Sequence, residues 1–143
     1  VTDERINLYQ RPGVSDPLIV EQTMSIVEEL VGEWFTPDVP DSTRRDLQFQ
    51  DVLCLEVDGR VTAFIMFVGY EGSISLTLMG TRPGARGQGL GSRLLKHLFE
   101  HVAQLGFDRI EVLTVPPEFK PCYEATVKFY QKHGFVIDKE IPG

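Results

Sequence analysis

Residues 86–91 read Arg-Gly-Gln-Gly-Leu-Gly and stand between the apolar run Ile74 to Met79 and a helix-patterned stretch that opens at Leu94. Glycine at 87, 89 and 91 removes the side chains that would hold an anion away from the backbone, and it tolerates the positive φ of a tight turn. A strand, a glycine turn and a helix in that order place first-turn amides at the positive end of a helix dipole, where a phosphate or pyrophosphate is stabilised. On the glycines alone, an ordinary helix-capping turn fits as well as a phosphate cradle. Two other phosphate loops do not fit. A P-loop ends in Gly-Lys-Ser or Gly-Lys-Thr, whereas Gly91 is followed by Ser92 and Arg93. A dinucleotide fingerprint has its third glycine at the sixth position, which is Ser92 counted from Gly87 and Leu94 counted from Gly89. Asp108 and Glu111, the nearest acids for a ribose, open the next predicted strand instead of closing one.

Charge placement sharpens this reading. The chain has a formal net charge of -7, yet Gly72 to Phe99 contains no Asp or Glu and holds Arg82, Arg86, Arg93 and Lys96. Guanidinium groups suit paired contacts on phosphate oxygens, although a solvated basic helix face would have the same composition. Four basic residues in an acidic chain do not make a nucleic-acid surface, so no nucleic-acid partner is expected.

With 143 residues, 42% of them hydrophobic, the sequence predicts one globular domain over 1–143. No apolar stretch approaches a membrane span and the first ten residues are too polar for a signal peptide, so a cytoplasmic protein without a membrane partner is expected. Cys54 and Cys122 form no C-x-x-C and are expected as free thiols, not nucleophiles.

The positioning elements follow from periodicity and turn chemistry. A strand around Ile6 to Arg11 precedes a helix that starts at Ser15 or Asp16 with Pro17 and carries an apolar face up to Phe35. A short helix is expected from about Ser42. Asp58-Gly59 between two β-branched and aromatic runs predicts a hairpin, and Glu71-Gly72 predicts the turn into the strand before the glycine loop. Leu90, Leu94, Leu98, Val102 and Leu105 form the buried stripe of the following helix, with Gly106 as its C-cap. A strand at 109–115, a rigid loop at 116–121, a helix from Tyr123 to Gly134 and a last strand in 135–141 complete the chain. The strand, helix, strand unit around the glycine loop should be a right-handed parallel crossover.

The spacing R-x-x-G-x-G, the run LMGTRP at 78–83 before it, and Tyr130 with Gly134 and Phe135 after it together resemble the GCN5-related N-acetyltransferase (GNAT) family over about residues 4–140. The resemblance implies an α/β fold: a mixed, mostly antiparallel central sheet flanked by helices, with the parallel crossover at the coenzyme site. It implies acetyl-coenzyme A (acetyl-CoA) as cosubstrate and no metal. Met79, Gly80 and Thr81 would then offer backbone groups to the pantetheine arm and acetyl carbonyl, while Arg86, Gly87, Gln88, Gly89, Leu90, Gly91 and Ser92 would hold the pyrophosphate. Tyr130 would be the catalytic residue that protonates the coenzyme thiolate, with a tyrosine closing its helix against the sheet as the structural alternative. The departures are also specific. Ser75 stands where many members carry an acidic or histidine base, and Tyr123 and Thr126 replace the usual Asn and Ala of the last helix. Eight residues after Phe135 are too few for both a sixth and a seventh strand, so the seventh is lost or a partner chain covers that edge, as in a homodimer.

His97 to His101 spells H-x-x-E-H, a pattern of zinc peptidases, but the glycine loop directly upstream and the amphipathic helix favour side chains bordering the buried stripe. Trp34 and Phe35 are expected to plug the first helix, and Phe129 to pack in the core. The function implied is acetyl transfer from acetyl-CoA to a primary amine of a small molecule or peptide, by direct attack on the thioester. By the same resemblance, Glu33, Asp38, Asp41 and Asp46 would lie in the helix-loop-helix that walls the acceptor site, where they would suit a cationic amine or serve solubility alone. The alternative is a catalytically silent acyl-CoA-binding sensor or structural module.

Overall fold

The computed structural model describes residues 2–112 and 123–136. By contacts the chain divides into two compact units, Val1–Val112 and Leu113–Gly143.

In the first unit, β1 (Glu4–Tyr9) is followed by α1 (Pro12–Ser15), α2 (Pro17–Glu29) and α3 (Val39–Asp46), then by β2 (Asp51–Val57), β3 (Arg60–Tyr70) and β4 (Ser73–Thr81). A single 3-10 turn at Pro83–Ala85 leads into α4 (Leu90–Gln104), and β5 (Ile110–Val112) closes the unit. Both predicted hairpin turns form, because Asp58 with Gly59 and Glu71 with Gly72 all take the positive φ that a two-residue hairpin of right-handed twist demands. Strand order is β1-β2-β3-β4-β5, antiparallel until β4 pairs with β5 in parallel across the α4 crossover. This is the mixed sheet that the sequence predicts.

Alternation along the strands sends two apolar sets to opposite faces. Val52, Cys54, Phe64 and Met66 pack with Ile19, Met24, Ile26, Val27 and Leu30 of the α2 side. Leu53, Leu55, Ile65 and Phe67, of the opposite parity, are buried on the other face, and α4 contacts β2, β3 and β4. Fully burying such a side chain stabilises by about 1.5–3 kcal/mol, so the glycine loop before α4 is anchored by a stripe that cannot slip without exposing leucines.

Four local expectations are corrected. The helix after Pro17 begins as read, with the Asp16 side chain accepting the Ile19 N–H at 3.3 Å, but it ends at Glu29 instead of reaching Phe35. Gly32, at φ 102°, turns the chain there. The next helix starts at Val39, ahead of Ser42, with Pro40 in its first turn, where a missing N–H costs no helical bond. The stripe of α4 is Leu90, Leu94, Leu95, Leu98 and Val102, while Leu105 is 58% exposed because it follows the last helical turn.

Gly106 ends α4 in a Schellman motif: Phe107 N–H donates to Val102 O and Gly106 N–H to Ala103 O. In the second unit the same motif ends α5 (Tyr123–Lys132), with Phe135 N–H donating to Tyr130 O and Gly134 N–H to Gln131 O, both at 3.1 Å. The expected loop at 116–121, residues 137–141 of the expected last strand and Cys122 lie outside the described residues, as does the end of the 109–115 strand; Phe135 and Val136 are not in a strand.

Candidate functional site

The glycine loop is built for close approach. Gly87 and Gly89 have φ of 80° and 74°, and a Cβ added at either would meet no atom within 4 Å. The first helical bond of α4 runs from Arg93 N–H to Gly89 O. Among the described residues no acceptor pairs with the N–H groups of Gly87, Gln88, Gly89, Leu90 or Gly91. The loop therefore offers a row of backbone donors at a helix N-terminus with open space over two of its glycines, which is what an anionic group requires.

Upstream, β4 is shaped by two constraints. The β3 register steps between Met66 and Phe67, where Leu78 and Leu76 are their respective partners, so Thr77 is an extra residue on β4. Arg82 N–H donates to Thr62 O at 3.0 Å. By alternation Leu78 and Gly80 then also turn their backbone groups to β3, and Met79 and Thr81 turn theirs to the β5 side. Gly80 has a packing reason as well: an added Cβ would lie 2.9 Å from Phe64 Cε1 and 3.0 Å from Leu30 Cδ1.

The four cations of this region divide. Arg82 is directed inward, its side chain only 12% exposed, donating from Nε to Val61 O at 3.0 Å and pairing with Glu29 at 3.2 Å. Burial lowers its pKa, the charge of Arg60 adds to this and Glu29 opposes it. Arg93 pairs with Glu4 of β1 at 2.6 Å. Two of the four are thus already paired with carboxylates distant in sequence. Lys96 is exposed, and Arg86 places its guanidinium carbon 4.6 Å from the centroid of the Trp34 ring. Trp34 and Phe35 pack against the α2 core cluster, as expected, and the Arg86 contact is the feature that sequence reading missed. A cationic residue 52 positions away leaves no local signal.

β4 carries no ionisable side chain, and Ser75 is half-buried. Of the acids on the α2–α3 side, Asp38 accepts a hydrogen bond from the Thr36 hydroxyl, which holds its carboxyl below the usual range. Cys54 is buried in the core and burial pushes its thiol up, so it is no nucleophile. His97 and His101 border the α4 stripe, with His101 meeting Phe67 edge-on at 6.2 Å. No group of three or more His, Cys, Asp or Glu among the described residues is placed to hold a metal.

In the second unit Tyr130 is 8% exposed and meets Phe129 and Phe135 edge-to-face at 5.5 and 5.3 Å. The Tyr-x-x-x-Gly-Phe pattern is therefore also the sequence of a Schellman cap with its apolar clasp. Tyr123 opens the same helix.

A profile of the Acetyltransferase (GNAT) family matches residues 23–135. The chain belongs to that acetyltransferase family. No curated protein matches the sequence. Among solved structures the fold resembles the ribosomal-protein-S18-alanine N-acetyltransferase of Escherichia coli, at 15% identity and a TM-score of 0.74 over 94% of this chain and 78% of that one. It also resembles the PaiA N-acetyltransferase of Thermoplasma acidophilum in complex with coenzyme A, at 12% identity and a TM-score of 0.73 over 96% and 93%. A third is an aminoglycoside acetyltransferase from an uncultured soil metagenomic sample in complex with sisomicin, at 11% identity and a TM-score of 0.72 over 98% and 93%. No described helix is long and apolar enough to cross a membrane.

Proposed function

We propose that the protein transfers the acetyl group of acetyl-CoA to a primary amine of a small molecule or peptide, within one catalytic domain spanning the chain. The observation that carries this reading is the open backbone cradle at Gly87 and Gly89, set at the start of α4 and directly after β4. Arg86 to Ser92 would bind the pyrophosphate. Met79, Gly80 and Thr81 would line the pantetheine arm, and the amides of Met79 and Thr81, turned away from β3, are the candidates for the thioester carbonyl. One such donor to a developing oxyanion is worth about 3 kcal/mol.

In the reaction the amine nitrogen forms a bond to the acetyl carbon, the carbon–sulfur bond breaks, and the thiolate takes a proton. Tyr130 is the proposed donor, since a phenol of reference pKa ~10 stays protonated at neutral pH. The amine arrives as ammonium, also with a pKa of ~10, and must first lose a proton. No side chain of β4 can accept it, and Asp38 is a weakened base. Glu33, Asp41, Asp46 or a water chain takes that role, and the same acids attract a cationic acceptor. Relatives of this fold include enzymes named for aminoglycosides and for a protein alanine, which accords with either class of amine.

The test is thiol release from acetyl-CoA against amines, polyamines, aminoglycosides, amino acids and N-terminal peptides. Release that depends on one class identifies the acceptor. Tight coenzyme binding with every amine left unmodified favours the silent binding module, the reading supported by the absence of an ionisable group on β4.

A further inference from the structure

We propose that Trp34 is a positioning residue for Arg86, holding its guanidinium beside the glycine loop with the N–H edge directed to the coenzyme pyrophosphate; this rests on the coenzyme reading above. Arg82 and Arg93, the neighbouring guanidiniums, are paired with Glu29 and Glu4, so a phosphate would have to compete for them. Arg86 differs. Among the described residues no carboxylate lies within ion-pair distance of it, and its partner is the face of an indole 4.6 Å away. A ring face attracts the cation through its quadrupole but takes none of the five in-plane N–H donors, which stay available for phosphate oxygens.

The indole is held in place. Trp34 and Phe35 N–H groups both donate to Leu30 O, at 3.1 and 3.0 Å, Gly32 N–H donates to Phe35 O at 2.9 Å, and the ring packs on the α2 core cluster. Arg86 by itself is an exposed side chain that would lose rotamer freedom on meeting a ligand. Resting on a fixed ring, it has already lost part of that freedom, so the coenzyme binds more tightly. The contact also joins the α2–α3 connection to the coenzyme loop, and Trp34, the single tryptophan of the chain, reports on it.

Coenzyme A and pantetheine, which lacks the pyrophosphate and nucleotide, are the probes. Calorimetry should find coenzyme A binding weakened about fivefold in Trp34→Leu, about 1 kcal/mol, with pantetheine unaffected and Trp34→Phe recovering most of the loss. Arg86→Gln should cost less in the Trp34→Leu background than in the parent, since the two side chains act as one unit. Coenzyme A, and not pantetheine, should shift Trp34 emission in the parent, and that shift should be lost in Arg86→Gln. A folded Trp34→Leu with parent affinity, or losses that simply add, overturns the proposal. Should Trp34→Leu fail to fold, the same emission shift in Arg86→Gln as in the parent overturns it. A parent that binds no coenzyme A instead overturns the coenzyme reading itself.

Discussion

A single charge placed on the glycine loop tests the pyrophosphate cradle. Gly89 sits at φ 74°, ψ 16° as the N-cap of α4, and a Cβ there would enter open space. Asn and Asp are the non-glycine residues that best tolerate this left-handed region, so Gly89→Asn and Gly89→Asp should share similar backbone strain of about 1–2 kcal/mol. They differ by one charge. A carboxylate about 5 Å from a phosphate costs about 0.8 kcal/mol per charge pair at the dielectric constant of water and about 3 kcal/mol at an effective value of 20. Calorimetric coenzyme A affinity should therefore fall at least tenfold further in Gly89→Asp than in Gly89→Asn, a difference of about 1.4 kcal/mol. The gap should narrow as salt screens the pair. Gly59→Ala, with a similar φ of 82° but in the β2–β3 turn, should lower stability and leave affinity unchanged. Equal dissociation constants for folded Gly89→Asn and Gly89→Asp would mean that no anionic group of the coenzyme lies against Gly89.

Tyr130→Phe keeps the ring and its clasp with Phe135, so melting temperature should change little while kcat falls by about 100-fold to 10,000-fold with KM nearly constant. Turnover at the parent rate would make Tyr130 a packing residue only. Gly80→Ala should cost about 1–3 kcal/mol by overpacking against Phe64 and Leu30, read as a melting temperature lower by roughly 2–4 °C per kcal/mol; an unchanged transition would mean that the strand shifts freely. Exhaustive chelation should leave activity and melting temperature unaltered, and one zinc per chain lost together with activity in His97→Ala would reverse the reading of the two histidines.

The elements that sequence made legible are those fixed by local chemistry. Asp16-Pro17, Asp58-Gly59, Glu71-Gly72, Gly106 and Gly134 each act within a few residues, through a cap or a positive φ, and each is where a helix or strand begins or ends. Trp34 and Phe35 keep the helical spacing of the apolar face, but Gly32, at positive φ, turns the chain before them. Leu95 falls between the positions that a step of four from Leu90 to Leu98 picks out, although an α-helical stripe is wide enough to include it. The glycine loop was legible for the same local reason, since the strand before it and the leucines after it fix its place. The partners of its cations were not: Glu4, Glu29 and Trp34 are brought to Arg93, Arg82 and Arg86 by the sheet and α2, and no spacing in the chain encodes those meetings.

Acetyl transfer as proposed here passes directly from the bound thioester to an amine. The decisive measurement is to incubate the protein with acetyl-labelled acetyl-CoA and the amine panel, then count labelled amine against free coenzyme thiol. One labelled amine should appear for each thiol released, dependent on a single class of acceptor and lost in Gly89→Asp. Thiol release without label on any amine, or coenzyme bound tightly with its label retained throughout, would contradict it.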